Sequence, residues 1–177
     1  GNIGGLVARK AALGFDMKVL AFDPYAKEFP DYIIPVSSRE EVFEKADYVS
    51  LHVPATPETV NSVGEKELAG MKKTAFLINT ARGSIIDEEA LIKALEEKQI
   101  AGAALDVTRE EPISRENPLL EMDNVLTAPH IGAATKEASS RSSLACAEGI
   151  DDFLSGRTPK YPVPPMREQL EQMNFTK

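Results

Sequence analysis

Compact apolar runs alternate along this chain with stretches in which apolar residues recur every three or four positions. Leu6-Val7-Ala8 through Leu13 marks one face of a helix from Asn2 to Leu13, with Gly14 as its left-handed stop. Lys18 to Phe22 is a short apolar run closed by Asp23-Pro24, which predicts a buried strand and a turn. Ser38-Arg39-Glu40-Glu41 has capping-box spacing ahead of Val42 and Phe43. Tyr48 to Val53 is rich in strand formers and stops at Pro54. Thr56-Pro57 predicts another helix start, and Lys66 to Met71 a further turn or two of helix. Thr74 to Asn79 reads as the next strand, ending at Thr80-Ala81-Arg82-Gly83. Asp87 caps a helix that repeats Ala90-Leu91 as Ala94-Leu95. Ala101 to Val107 is a strand of small residues, and Val125 to Ala128 is the last strand, followed by Pro129-His130-Ile131-Gly132. Thr135 caps a long helix to Leu154 that Gly156 ends, and Arg157 to Lys177 reads as extended apart from a helical turn over Glu168 to Met173.

The strands are continuous apolar runs and alternate with helices. That pattern predicts an α/β fold, a doubly wound parallel sheet covered on both faces. The opening residues sharpen it. Gly1-Asn2-Ile3-Gly4 precedes a helix and then a strand, with Asp23 about 20 residues beyond the glycines, the order of a dinucleotide-binding unit. The full fingerprint has another glycine and a strand in front, and the sequence begins inside it.

Composition narrows the partners. The chain has 177 residues, is 42% hydrophobic and 27% charged, and carries a net charge of −8. An acidic chain with no clustered basic stripe argues against nucleic acid as the main partner. No apolar run approaches the length of a membrane span, so no membrane is expected as a partner either. Cys146 is the lone cysteine, compatible with a reducing, cytoplasmic compartment, and by its neighbours it reads as a helix packing residue. No metal-ligand cluster stands out.

In an open parallel sheet, ligands bind beyond the carboxyl ends of the strands. Asp23, His52-Val53-Pro54, Asn79-Thr80-Ala81-Arg82, Asp106 with Glu110-Glu111, and His130 follow the predicted strands in turn, so both histidines fall at one edge. Each has a plainer reading. Asp23 can be a turn residue, Arg82 and Glu111 solvated loop charges, and His52 and His130 packed histidines. Asp106 is harder to dismiss, because a carboxylate in an apolar strand is costly to bury without a partner. Together the set has a specific chemistry. Histidine exchanges protons near neutrality, a carboxylate orients its ring, and arginine grips a carboxylate in a fork. With a nicotinamide, such a group interconverts a 2-hydroxy acid and a 2-oxo acid.

These motifs, in this order, resemble the D-isomer-specific 2-hydroxyacid dehydrogenases, most closely the phosphoglycerate dehydrogenase and hydroxypyruvate/glyoxylate reductase branch. The resemblance runs from Gly1 to about Gly156 through Gly1-Asn2-Ile3-Gly4, Leu51-His52-Val53-Pro54, Asn79-Thr80-Ala81-Arg82-Gly83, Ala104-Leu105-Asp106-Val107 with Glu111-Pro112, and Pro129-His130-Ile131-Gly132-Ala133. It implies three catalytic residues: Arg82 for the substrate carboxylate, His130 as acid/base and Glu111 as its orienting partner. It implies NAD as cofactor, with Gly1, Asn2, Ile3 and Gly4 at the pyrophosphate and Asp23 at the adenosine ribose. Val53, Thr80 and Asp106 would lie around the nicotinamide half, with Pro54, Ala81, His130, Gly132 and Ala133 as further contacts. The implied organisation is a cofactor domain over 1–156, incomplete at its start, and a tail over 157–177 returning to a substrate domain. The first strand, expected between the strand ending at Asp23 and the one ending at Asn79, and the substrate domain are both missing from this sequence, which reads as a fragment. The family pairs through its cofactor domain, so a homodimer is expected. The competing expectation is an NAD(H)-binding, corepressor-like module without turnover.

Overall fold

The computed structural model describes residues 1–163; the helical turn expected over Glu168 to Met173 lies outside the described residues. The chain divides into two compact units, Gly1–Ile131 and a second that starts at Gly132.

The first unit opens with α1 (Asn2–Phe15). The helix runs through Gly14 and closes instead at Asp16, which takes φ 54°, while the Met17 N–H reaches back to the Ala11 carbonyl at 3.1 Å. Aspartate tolerates the left-handed region, so a glycine is not required at the stop. β1 (Val19–Ala21) pairs in parallel with β2 (Ile33–Pro35), Val19 opposite Ile33. The sequence pattern missed β2, a three-residue strand ending in proline.

The second sheet holds β3 (Tyr48–Leu51), β4 (Phe76–Asn79), β5 (Gly102–Leu105) and β6 (Val125–Thr127), all parallel, in the order β3-β4-β5-β6. Among the described residues no strand joins β1 to β3. The interruption therefore lies beside β3, the edge strand ending at Leu51, and not beside the strand ending at Asn79, which is internal. One face of this sheet makes the core. Val49, Leu51, Leu77, Ala103 and Leu105 pack with buried residues of α2 (Arg39–Lys45), α3 (Glu65–Gly70) and α4 (Glu88–Glu96), among them Phe43, Leu68, Leu91 and Leu95. The other face carries exposed apolar side chains as well. Tyr48 and Phe76 stack there with ring centroids 5.8 Å apart, and Leu126 is 71% exposed. β3 accordingly alternates exposed and buried residues.

Local chemistry explains the helix starts. The Ser38 hydroxyl accepts from the Glu41 N–H and the Asp87 carboxylate from the Ala90 N–H, both at 3.3 Å. The Ser38 box is half-formed, since Glu41 turns to Ser37 instead. Thr56-Pro57 starts a run of turns and no helix. The Thr59 hydroxyl accepts from the Thr56 N–H at 2.7 Å and donates to the Pro54 carbonyl at 2.6 Å, taking up backbone groups from which a helix would grow.

The second unit contains α5 (Lys136–Leu154). Thr135 caps it, accepting from the Ala138 N–H at 3.1 Å, and Gly156 follows its end at φ 71°, both as expected. No residue of α5 is buried.

Candidate active site

The carboxyl end of β4 is shaped by Asn79, whose side chain is wholly buried. Its Nδ2 donates to the Arg82 carbonyl at 2.9 Å and its Oδ1 accepts from the Ala81 N–H at 3.0 Å. One amide thus closes the turn Thr80-Ala81-Arg82 on itself and supplies the partners its own burial demands. Arg82 is exposed, with Nη1 donating to the Ala81 carbonyl at 2.6 Å. Gly83 begins a short 3-10 turn, and a Cβ there would collide with the Thr108 carbonyl. The missing side chain is what lets the Arg82 turn lie against the loop that follows β5.

That loop and the one after β6 carry the rest. The register places Leu105 opposite Thr127, so Asp106 and the residues beyond β6 leave the sheet side by side. The Asp106 carbonyl accepts from the His130 N–H, and its Oδ1 from the Ile131 N–H, both at 2.8 Å. The carboxylate that looked costly in an apolar strand is half-buried and holds the histidine's backbone. His130 itself sits at φ 54°. Its Nδ1 meets Glu111 Oε2 at 2.8 Å, with the two side chains 46% and 38% exposed. An ionised carboxylate only accepts, so the pair places the ring hydrogen on Nδ1 and leaves Nε2 to exchange a proton with something else.

A second cluster forms where α1 begins. Gly1 precedes the helix, and Asn2, Ile3 and Gly4 make its first turn, so the amides of that turn have no intrahelical acceptor. Asp23, just past β1, accepts from the Tyr25 N–H at 3.0 Å and lies near the start of α1. The Tyr25 N–H holds the Asp23 carboxyl below the usual carboxylate range. Gly4 lies against the end of β3, where an added Cβ would be 3.1 Å from the Cβ of His52. The His52 ring is half-buried, and its Nε2 lies 2.9 Å from the Ser50 hydroxyl. Burial pushes its pKa down.

The structure therefore gathers Asp106, Glu111 and His130 into one hydrogen-bonded group beside the Arg82 turn, and Gly1, Gly4, Asp23 and His52 into another. Val53, Pro54 and Thr80 are exposed just past their strands, and Ala81 is partly covered. Gly132 and Ala133 belong to the second unit. The motif by itself gives Asn79 no role; the signal that finds it is a polar residue closing a buried apolar run.

A parallel α/β sheet with a glycine turn and an acid at its first strand's end defines a dinucleotide-binding domain, and the hydrogen-bonded Asp106, Glu111 and His130 lie beyond the carboxyl ends of its strands. The chain belongs to the D-isomer specific 2-hydroxyacid dehydrogenases, whose NAD binding domain matches residues 1–132. It is 44% identical over 164 residues to a glyoxylate reductase of Korarchaeum cryptofilum, covering 90% of this chain and 48% of that protein. Identity to a D-3-phosphoglycerate dehydrogenase of Synechocystis is 47% over 159 residues, 88% of this chain and 28% of that one. Among solved structures, the NAD complex of a D-isomer specific 2-hydroxyacid dehydrogenase from Lactobacillus delbrueckii ssp. bulgaricus aligns with a TM-score of 0.84 at 36% identity, over 92% of this chain and 53% of that one. The chain thus spans about half the length, or less, of the relatives it matches.

Proposed function

We propose that this chain is the cofactor half of an NAD-dependent oxidoreductase that interconverts a D-2-hydroxy acid and its 2-oxo acid. The observation that carries this is the Glu111–His130 pair at 2.8 Å, held at the ligand edge beside the Arg82 turn. Arg82 grips the substrate carboxylate with its exposed fork. His130 Nε2 takes the hydroxyl proton in oxidation and returns it in reduction, while Glu111 fixes the ring's orientation through Nδ1. NAD, when bound, accepts or supplies the hydride.

The residues present suit that cofactor. The first turn of α1, from Gly1 to Gly4, offers backbone amides to a pyrophosphate. The ionised Asp23 at the end of β1 suits a ribose hydroxyl and repels a 2′-phosphate, which favours NAD over its phosphorylated form. Val53, Thr80 and Asp106 are assigned to the nicotinamide half, and Pro54, Ala81, His130, Gly132 and Ala133 to further cofactor contacts. The cofactor domain is taken as 1–156, with 157–177 returning to a substrate domain. Two further assignments accompany this reading. The uncovered α5 supports a homodimer formed through this domain. A lone thiol, together with the absence among the described residues of any helix long and apolar enough to cross a membrane, supports a cytoplasmic site.

The test is oxidation of NADH by the full-length protein with glyoxylate, hydroxypyruvate, pyruvate and phosphohydroxypyruvate in turn. At least one is expected to be reduced, and His130→Asn is expected to lower kcat by about 10²- to 10⁴-fold. A His130→Asn variant with full rate would sink the mechanism. Tight NADH binding without turnover of any of the four would favour a binding module instead.

A further inference from the structure

Glu111 sits in a loop made largely of exposed charged residues, Arg109 to Glu116, which has no strand or helix of its own. Such a loop would not by itself hold a carboxylate to one position. Ile113 packs the middle of the loop against the core, and the two ends both meet Glu88.

Glu88 is the first residue of α4. By sequence it is an acid in a helix's first turn, a common and purely electrostatic placement. The structure gives its two oxygens separate partners across the sheet edge. Oε2 accepts from the Arg109 N–H at 3.1 Å, and Oε1 accepts from Asn117 Nδ2 at 2.9 Å. These partners are the two ends of the loop that carries Glu111. Both ends are anchored in their own right. On one side, the buried Thr108 donates its hydroxyl to the Glu110 carbonyl at 2.7 Å. On the other, Asn117 Oδ1 accepts from the Leu119 N–H at 3.0 Å, and Leu119 is buried. α4 is in turn seated in the core through Ala90, Leu91, Ala94 and Leu95.

We infer that Glu88 is a positioning residue for the catalytic pair: its one carboxylate clamps both ends of the 109–117 loop to α4 and so sets Glu111 against His130. This rests on the reading of Glu111 and His130 given above. Glu88 touches neither member of the pair and acts through the loop alone. A charged acceptor suits the task because hydrogen bonds to an ionised carboxylate are stronger than neutral ones.

Glu88→Ala removes both acceptors; Glu88→Gln keeps the shape and one carbonyl oxygen, so it serves if the alanine variant folds poorly. In the full-length protein, Glu88→Ala is expected to lower kcat by about 10- to 100-fold, the scale of a misplaced catalytic group. The NADH dissociation constant is expected to stay within about twofold, since uniform binding is untouched. Glu88→Gln falls between. Glu111→Gln combined with Glu88→Ala is expected to lose much less than the product of the single losses, because both act on one interaction. Additive losses, or a matched loss of NADH affinity, would overturn the assignment. A second readout does not depend on turnover. Glu88→Ala is expected to speed hydrogen exchange at the Arg109 amide and to weaken the hydrogen-bonded Nδ1–H signal of His130 in NMR; no change in either overturns the clamp. If both change while the unaltered protein reduces no 2-oxo acid, the clamp stands and the proposed activity fails.

Discussion

The two halves of the candidate site are held by different means. The Arg82, Asp106, Glu111 and His130 half stands on β4, β5 and β6, whose inner face belongs to a continuous core running from Phe43 to Leu119. The Gly1, Gly4 and Asp23 half stands on α1, β1 and β2, where Ala8 and Ile33 are the buried apolar residues among those described, and Ile3, Leu6, Leu13 and Phe15 of α1 are exposed. A two-stranded parallel pair with one helix is a marginal structure. One tie to the rest is Gly4, which lies against His52 just past β3. The side of β1 away from β2 and the side of β3 away from β4 are both unpaired among the described residues, and an unpaired strand edge is a place for another strand. Among the described residues the Arg82, Asp106, Glu111 and His130 half therefore rests on a packed core, whereas the glycine-turn half rests on few buried side chains. Stability within this unit is expected to be uneven in the same sense.

Truncation on each side tests that contrast most strongly. Leu77 is fully buried in β4, and Leu77→Ala is expected to cost roughly 2–5 kcal/mol in urea unfolding. Leu6 in α1 is 59% exposed, and Leu6→Ala is expected to stay within about 0.5 kcal/mol. Equal losses would show that α1 is packed as firmly as the sheet and would break the comparison.

Glycines sharpen it by sign. Gly83 is forced by the Thr108 backbone, so Gly83→Ala is expected to destabilise by about 1–3 kcal/mol and to displace the Arg82 turn. Gly5 is a helical residue of α1 whose Cβ would meet nothing within 4 Å. Gly5→Ala is expected to stabilise by about 0.5–1 kcal/mol, because alanine loses less backbone freedom in a helix. Paired thermal unfolding curves decide this, and two shifts of the same sign would count against the assignment of the two regions.

The same division governs how much the amino-acid sequence disclosed. Features set by neighbours in the chain were legible: Ser38, Asp87 and Thr135 cap their helices, and Gly156 follows the end of the last one. The strand-end argument also put Glu111 and His130 at one edge. Their contact spans 19 residues and depends on the β5–β6 register and on a loop whose shape no local signal carries. β2 escaped because three residues ending in proline leave almost no periodicity. Gly14 misled because it is a residue that permits a stop without requiring one, and the helix went on to Asp16. Asn79 and Glu88 were passed over for one reason: each looks ordinary along the chain, and its partners are set by the turn or the loop it holds.

The smallest expected effect falls at the seam between the two regions. His52 follows β3 and packs against Gly4 of α1, and burial there lowers its pKa from the ordinary imidazole value of 6.5. The folded state therefore favours the neutral ring, and the unfolded chain binds more protons below that value. By linkage, stability is complete above about pH 6.5 and declines as pH falls from there toward the folded pKa. His52→Gln removes this slope and can still meet the Ser50 hydroxyl with one end of its amide. Unfolding free energies of the two proteins between about pH 5 and 8 should converge on the acid side of about pH 6.5. Every other titrating group, His130 included, is common to both and drops out of the difference. If the unaltered protein instead gains on the variant as the pH falls, His52 is held as a cation, and the seam would have to be polar rather than packed.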